Sequence, residues 1–146
     1  MPELREKLKR LRGTGVLVGV GTHLPEVIDH IASEGWDVDF YQCCFYTVYS
    51  LVSSREIDRA HEVYDDGARQ RMAVFVAQAS KPCIVFKVLA ANRKPAGEEG
   101  VEAALRFAYE HIKPTDVVIV GMWQRYRDQV GENTEIVRRI LGEEGS

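Results

Sequence analysis

The sequence predicts an α/β domain: a leading helix, then four strand–helix units around a parallel sheet. Four short apolar, mostly β-branched runs recur along the chain: VLVGVGT (16–22), VDFYQCCF (38–45), CIVFKVLA (83–90) and VVIVG (117–121). They do not alternate with polar residues, which suits strands covered on both faces. Amphipathic segments separate them, and strands alternating with helices imply parallel pairing through right-handed crossovers.

Each element has its own justification. The leading helix, 2–12, carries a narrow seam of Leu4, Leu8 and Leu11. The helix over 24–33 has Pro25 and Glu26 suited to a first turn and places Val27, Ile28 and Ile31 on one face. Segments 66–80 and 98–112 show the same 3.6-residue spacing, and 127–142 follows the last strand. KPTD (113–116) reads as a helix-to-strand turn and 91–100 as a polar loop. The longest connection, 46–65, is expected to contain extra helix.

The chain has 146 residues, enough for one domain, 1–146, with a core. A net charge of −3 gives no global pull toward nucleic acid or anionic membranes. No apolar run approaches the roughly 20 residues of a membrane span, and MPELREKLKRLR lacks a signal peptide's apolar stretch, so the expectation is a cytoplasmic protein. Cys43, Cys44 and Cys83 show no CxxC spacing and are expected to be reduced.

Parallel strands gather functional groups at their C-terminal ends, whether the sheet is an open sandwich or half of an eight-stranded barrel. Lys87, inside an apolar run, must pair, lose its proton or reach a cavity. It is a candidate for gripping an anion or forming a Schiff base, with Asp39 on the neighbouring strand as a structural partner. Arg93, Lys94, Arg125 and Arg127 flank the last two strand ends, a common phosphate position. His23 lies near Cys43 and Cys44, but neighbouring strand residues point to opposite faces, so no metal site is expected. Glycines 13, 15, 19 and 21 fit neither GxGxxG nor a Walker A loop.

Taken together, the segments resemble the C-terminal half of the aldo-keto reductase barrel. GVGTHLPEVIDHI looks like that family's GVSNFxPEQL, DVDFYQCCFY like DVVQNEYN, CIVFKVLAA like VIAYSPLA, and RDQVGEN like EQLxEN. The resemblance covers about residues 13 to 141 and implies NADP or NAD as cofactor. Gln42 would contact the nicotinamide amide, Phe86 would stack on its ring, and Glu132 and Asn133 would touch the adenine end. An arginine that often grips the adenosine phosphate is Gln129 here. Lys87 stands where the family has serine, and Arg93, Arg125 and Arg127 are left to supply phosphate contacts. The family's catalytic residues come from its N-terminal half, which has no counterpart in this chain.

The resemblance therefore implies a (βα)4 half-barrel of TIM type. Its first and last strands lack edge protection, and pairing two copies about a twofold axis would close an eight-stranded barrel. The expected partners are a second copy and a phosphorylated small molecule. The leading functional expectation is a self-associating half-barrel with a phosphate or dinucleotide site at the C-terminal strand ends. An NAD(P)H-dependent oxidoreductase and a structural half-barrel without small-molecule activity stand as alternatives.

Overall fold

The computed structural model describes residues 2–53, 56–94 and 97–144. The order of elements is α1 (Pro2–Arg12), β1 (Gly19–Thr22), α2 (Pro25–Ser33), β2 (Phe40–Cys44), β3 (Thr47–Ser53), β4 (Glu56–Asp65), α3 (Asp66–Gln78), β5 (Cys83–Phe86), a 3-10 turn (Ala90–Asn92), α4 (Gly97–Glu110), β6 (Val117–Val118) and α5 (Gln129–Glu144). The main sheet runs β1-β2-β5-β6 with every pairing parallel. Strands that follow one another in the chain are neighbours in this sheet, an order compatible with a half-barrel. Among the described residues no helix is long and apolar enough to cross a membrane.

Local chemistry explains where the helices begin. At α2 the Thr22 hydroxyl accepts the Leu24 N–H at 3.0 Å, and Pro25 opens the first turn. At α3 the Asp65 carboxylate caps the N–H groups of Gly67 and Ala68 at 3.2 and 2.7 Å. Before β6, the Asp116 carboxylate accepts the Lys113 N–H within the predicted KPTD turn and the Cys83 N–H at the start of β5. One turn thus fixes the last two strands side by side.

The two faces of the sheet differ. Val20, Tyr41, Cys43, Cys83 and Val85 point to one face and are buried with Ile28, Ile31, Met72, Val76, Leu105, Ile136 and Ile140 from the helices. On the other face Phe40, Gln42, Ile84 and Phe86 are only partly buried. Val117 and Ile119 at the β6 edge are 54% and 46% exposed. On this second face the Phe40 ring lies over Gly19, so a side chain there would force the ring to move.

Three expectations are corrected. Residues 46–65 hold the antiparallel hairpin β3–β4, not a helix. The strands are shorter than the apolar runs, and β5 ends at Phe86, so Lys87 lies just beyond the strand. Asp39 does not partner Lys87; it accepts from the Arg12 guanidinium and the Val18 N–H, and those two bonds hold its carboxyl below the usual range. Arg12 also bonds Asp37, tying α1 to the start of β2, while of the predicted leucine seam Leu8 is buried and Leu4 and Leu11 are exposed.

Candidate functional site

A cavity of about 570 Å³ lies at the C-terminal ends of β5 and β6, between the loops that lead into α4 and α5. That volume is within the range of small-molecule sites. The wall brings together Phe86, Lys87, Arg127, Glu132 and Asn133 from the predicted site, with Ile119, Met122, Trp123, Glu98 and Gln129 added by the fold. Gln42, Arg93 and Arg125 are not part of this wall. Gln42 sits one strand away on the half-open sheet face, in register with Ile84.

The loop after β5 is unusual in its backbone. Lys87 has φ 57°, and Ala90, Ala91 and Asn92 follow with φ 47°, 49° and 64°. Left-handed conformations cost non-glycine residues about 1–2 kcal/mol each and concentrate at ligand sites. Bonds from the Ala90 N–H to the Lys87 carbonyl (2.9 Å) and from the Arg93 N–H to the Ala90 carbonyl (3.0 Å) hold the turn. Ala91 is exposed, so Ala91→Gly relieves its strain without opening a cavity. The variant is expected to gain about 0.5–1 kcal/mol after the entropy cost of glycine, read as a shift in urea midpoint at unchanged slope.

The loop before α5 folds on itself through side-chain bonds. The Trp123 N–H donates to Gln129 Oε1 at 2.6 Å, and the Val130 N–H to Gln124 Oε1 at 3.1 Å. Asp128 accepts from the Gly131 N–H at 3.0 Å and from Gln124 Nε2 at 3.1 Å. These contacts hold its carboxyl below the usual range, the Gly131 bond contributing most. The helix start that sequence reasoning offered to a phosphate is therefore capped by the chain's own carboxylate.

Ion pairing also rearranges the predicted basic rim. Arg127 makes a two-pronged pair with Glu132, at 2.9 Å from Nε and 2.7 Å from Nη2. Arg93 turns to Glu62 of the hairpin at 3.0 Å, and Lys94 to Asp66 at 2.6 Å. Arg125 lies over the Tyr126 ring, 5.3 Å from its centroid, and pairs with no carboxylate among the described residues.

Lys87 differs from these. Its ammonium lies 6.0 Å from the centroid of the buried Tyr64 ring. His23, at the end of β1, sets its ring edge-on to Phe86 at 5.3 Å. Partial burial, and then the Lys87 charge, push the His23 imidazole pKa down. Cys44 shares the sheet face of Phe86, its register partner, while Cys43 is buried on the covered face. The Cys44 thiol donates to the Tyr46 carbonyl at 2.9 Å, and burial pushes its pKa up to about 11. Sequence reasoning missed Tyr64 because it arrives on the hairpin.

Compared with known proteins, the chain matches no family model, no curated protein and no solved structure. The site therefore has to be read from its own geometry. It offers an aromatic and apolar wall (Phe86, Ile119, Trp123), amide groups on Gln129 and Asn133, a closed Arg127–Glu132 pair and Lys87, which has no counter-ion among the described residues.

Proposed function

We propose that the chain is a TIM-type half-barrel, resembling the cofactor half of the aldo-keto reductase barrel, that self-associates and binds a dinucleotide or another phosphorylated small molecule. The carrying observation is the cavity that gathers Phe86, Lys87, Arg127, Glu132 and Asn133, drawn from the end of β5, two loops and α5, at the C-terminal strand ends. In this reading Phe86 stacks on the nicotinamide and Glu132 and Asn133 face the adenosine end. Arg125 and Arg93 flank the path from outside the wall.

Charge favours NAD over NADP at this site. Arg127 is already satisfied by Glu132, and Gln129 stands where the resembling family often has its phosphate-gripping arginine. An additional phosphate would meet Glu98 and Glu132 with no free cation in the wall except Lys87. Self-association is supported by the open edges. Val16 and Leu17 before β1 are 55% and 77% exposed, and Val117 and Ile119 line the β6 edge. A second copy offers each edge a parallel partner of the complementary kind, closing an eight-stranded barrel. Three unpaired, buried thiols suit a reducing, cytoplasmic setting.

The test uses Trp123 as its own probe, since it is 61% exposed at the cavity while Trp36 is buried. Titration with NADH is expected to quench its emission saturably at micromolar concentration, with NADPH binding more weakly. Phe86→Ala should weaken the response, and Trp123→Phe should remove the signal. A flat titration up to millimolar cofactor removes the dinucleotide reading. The pairing of Arg93, Lys94 and Arg127 then favours the second reading, a barrel-forming scaffold without a small-molecule ligand.

A further inference from the structure

The chain contains six lysines: Lys7, Lys9, Lys81, Lys87, Lys94 and Lys113. Four of them donate to a defined acceptor: Lys9 to Glu6, Lys81 to the Trp36 and Val38 carbonyls, Lys94 to Asp66, and Lys113 to Asp116 and the Val76 carbonyl. Lys7 is exposed. Lys87 is half-buried, and among the described residues its amine donates to no acceptor and pairs with no carboxylate. Its place is the strained turn at the end of β5, on the cavity wall. Withdrawing an amine from water without a partner is unfavourable unless a ligand or a reaction uses it.

The surrounding groups indicate which. Its ammonium lies over the Tyr64 ring from β4, and its charge acts on the His23 imidazole just after β1 and on the Cys44 thiol of β2. The shifts on His23 and Cys44 both favour the uncharged forms. Arg93 lies over the same Tyr64 ring, 5.4 Å from its centroid, but it pairs with Glu62, and Arg127 pairs with Glu132, so neither charge is left over to help Lys87 hold a polyanion. Uncharged proton donors and acceptors around an amine, beside an apolar cavity, are what addition to a carbonyl requires.

We propose that Lys87 is the nucleophilic amine of a carbonyl-binding site that forms a reversible imine with a small aldehyde or ketone held in the cavity. Once its ammonium has released a proton to solvent, the Lys87 nitrogen adds to the carbonyl carbon, forming a C–N bond as the C=O π pair moves to oxygen. The proton lost by nitrogen and the proton gained by oxygen pass through His23, giving a neutral carbinolamine. The nitrogen lone pair then forms C=N as the hydroxyl leaves with a proton as water, and hydrolysis returns the free amine. This inference needs no cofactor and no second copy, so it goes beyond the dinucleotide reading and does not rest on it.

The experiment treats the intact protein with limiting benzaldehyde, whose ring suits the Phe86 and Ile119 wall, and with cyanoborohydride to reduce any imine to a stable amine. Peptide mass mapping then locates the benzyl group, with exposed Lys7 as the internal reference. Lys87 is expected to label well ahead of Lys7, and Lys87→Met to leave only the slow surface reaction. His23→Asn should slow Lys87 labelling roughly tenfold or more. Lys7 labelling should be unchanged in that variant. Lys87→Arg keeps the charge and serves if the methionine variant does not fold. Labelling of Lys87 no faster than Lys7, or its absence, overturns the proposal whatever the outcome of the NADH titration.

Discussion

Asp116→Ala lowers the free energy of unfolding by about 3–5 kcal/mol, the range for breaking one half of a buried, hydrogen-bonded ion pair. The Asp116 side chain has no exposed surface. It accepts from the Cys83 N–H at 2.8 Å, the Lys113 N–H at 2.9 Å and the Lys113 ammonium at 2.8 Å. Alanine leaves two backbone donors and an ammonium short of a partner, with the Val76 carbonyl and the Cys83 sulfur still holding Lys113. Asp116→Asn keeps an acceptor oxygen and should lose less. Urea unfolding measures both, read as a midpoint shift at constant slope. A cost below about 1 kcal/mol for the alanine variant would mean that the turn is held by other contacts. Because this turn sets β6 beside β5, the same variant should loosen the Ile119–Trp123 wall and weaken any ligand bound there.

The second large effect concerns association. Val117→Lys puts an ammonium on the open edge of β6, in register with Ile84 on the half-open face. In the isolated chain Val117 is 54% exposed, so the fold should tolerate the change. In a closed barrel the same position faces the interior or the seam, where an unpaired charge costs about 2–5 kcal/mol. Association is then expected to weaken by at least roughly thirtyfold, with far-UV circular dichroism and urea midpoint close to those of the parent. Lysine on an exposed edge is also how natural sheets discourage strand pairing. If the variant associates as the parent does, some surface other than β6 holds the copies together.

Much of the architecture could be read from the chain because its signals are local. The βα alternation, the KPTD turn and the apolar faces of α2, α3, α4 and α5 each depend on residues close in sequence, and each stands where expected. The hairpin did not reveal itself, since the segment joining β3 to β4, Ser53 to Glu56, carries no glycine, proline or asparagine to mark a turn. Its polar and aromatic mixture fits helix or strand equally well. The excess length assigned to the last strand has a similar origin: VVIVG has the composition of a strand, but beyond Val118 no neighbour on the outer edge continues the ladder.

The candidate site divides along the same line. Lys87 was found because it interrupts an apolar run, and Phe86, Glu132 and Asn133 through the resemblance carried by CIVFKVLAA and RDQVGEN; the fold brings all four to one cavity. The fate of the arginines was not legible. Arg93 meets Glu62 across the unrecognised hairpin, and Arg127 meets Glu132 only once α5 begins at Gln129. Lys87 stands out for the opposite reason, as the half-buried lysine to which no contact among the described residues brings an acceptor.

Sedimentation equilibrium of the unmodified chain, over a protein concentration range from below micromolar to near millimolar, tests the central reading of a half that closes with its own copy. The reading predicts a reversible monomer–dimer equilibrium with the dimer dominant at the upper end, shifted toward monomer by Val117→Lys. A single monomeric species across the whole range would contradict it.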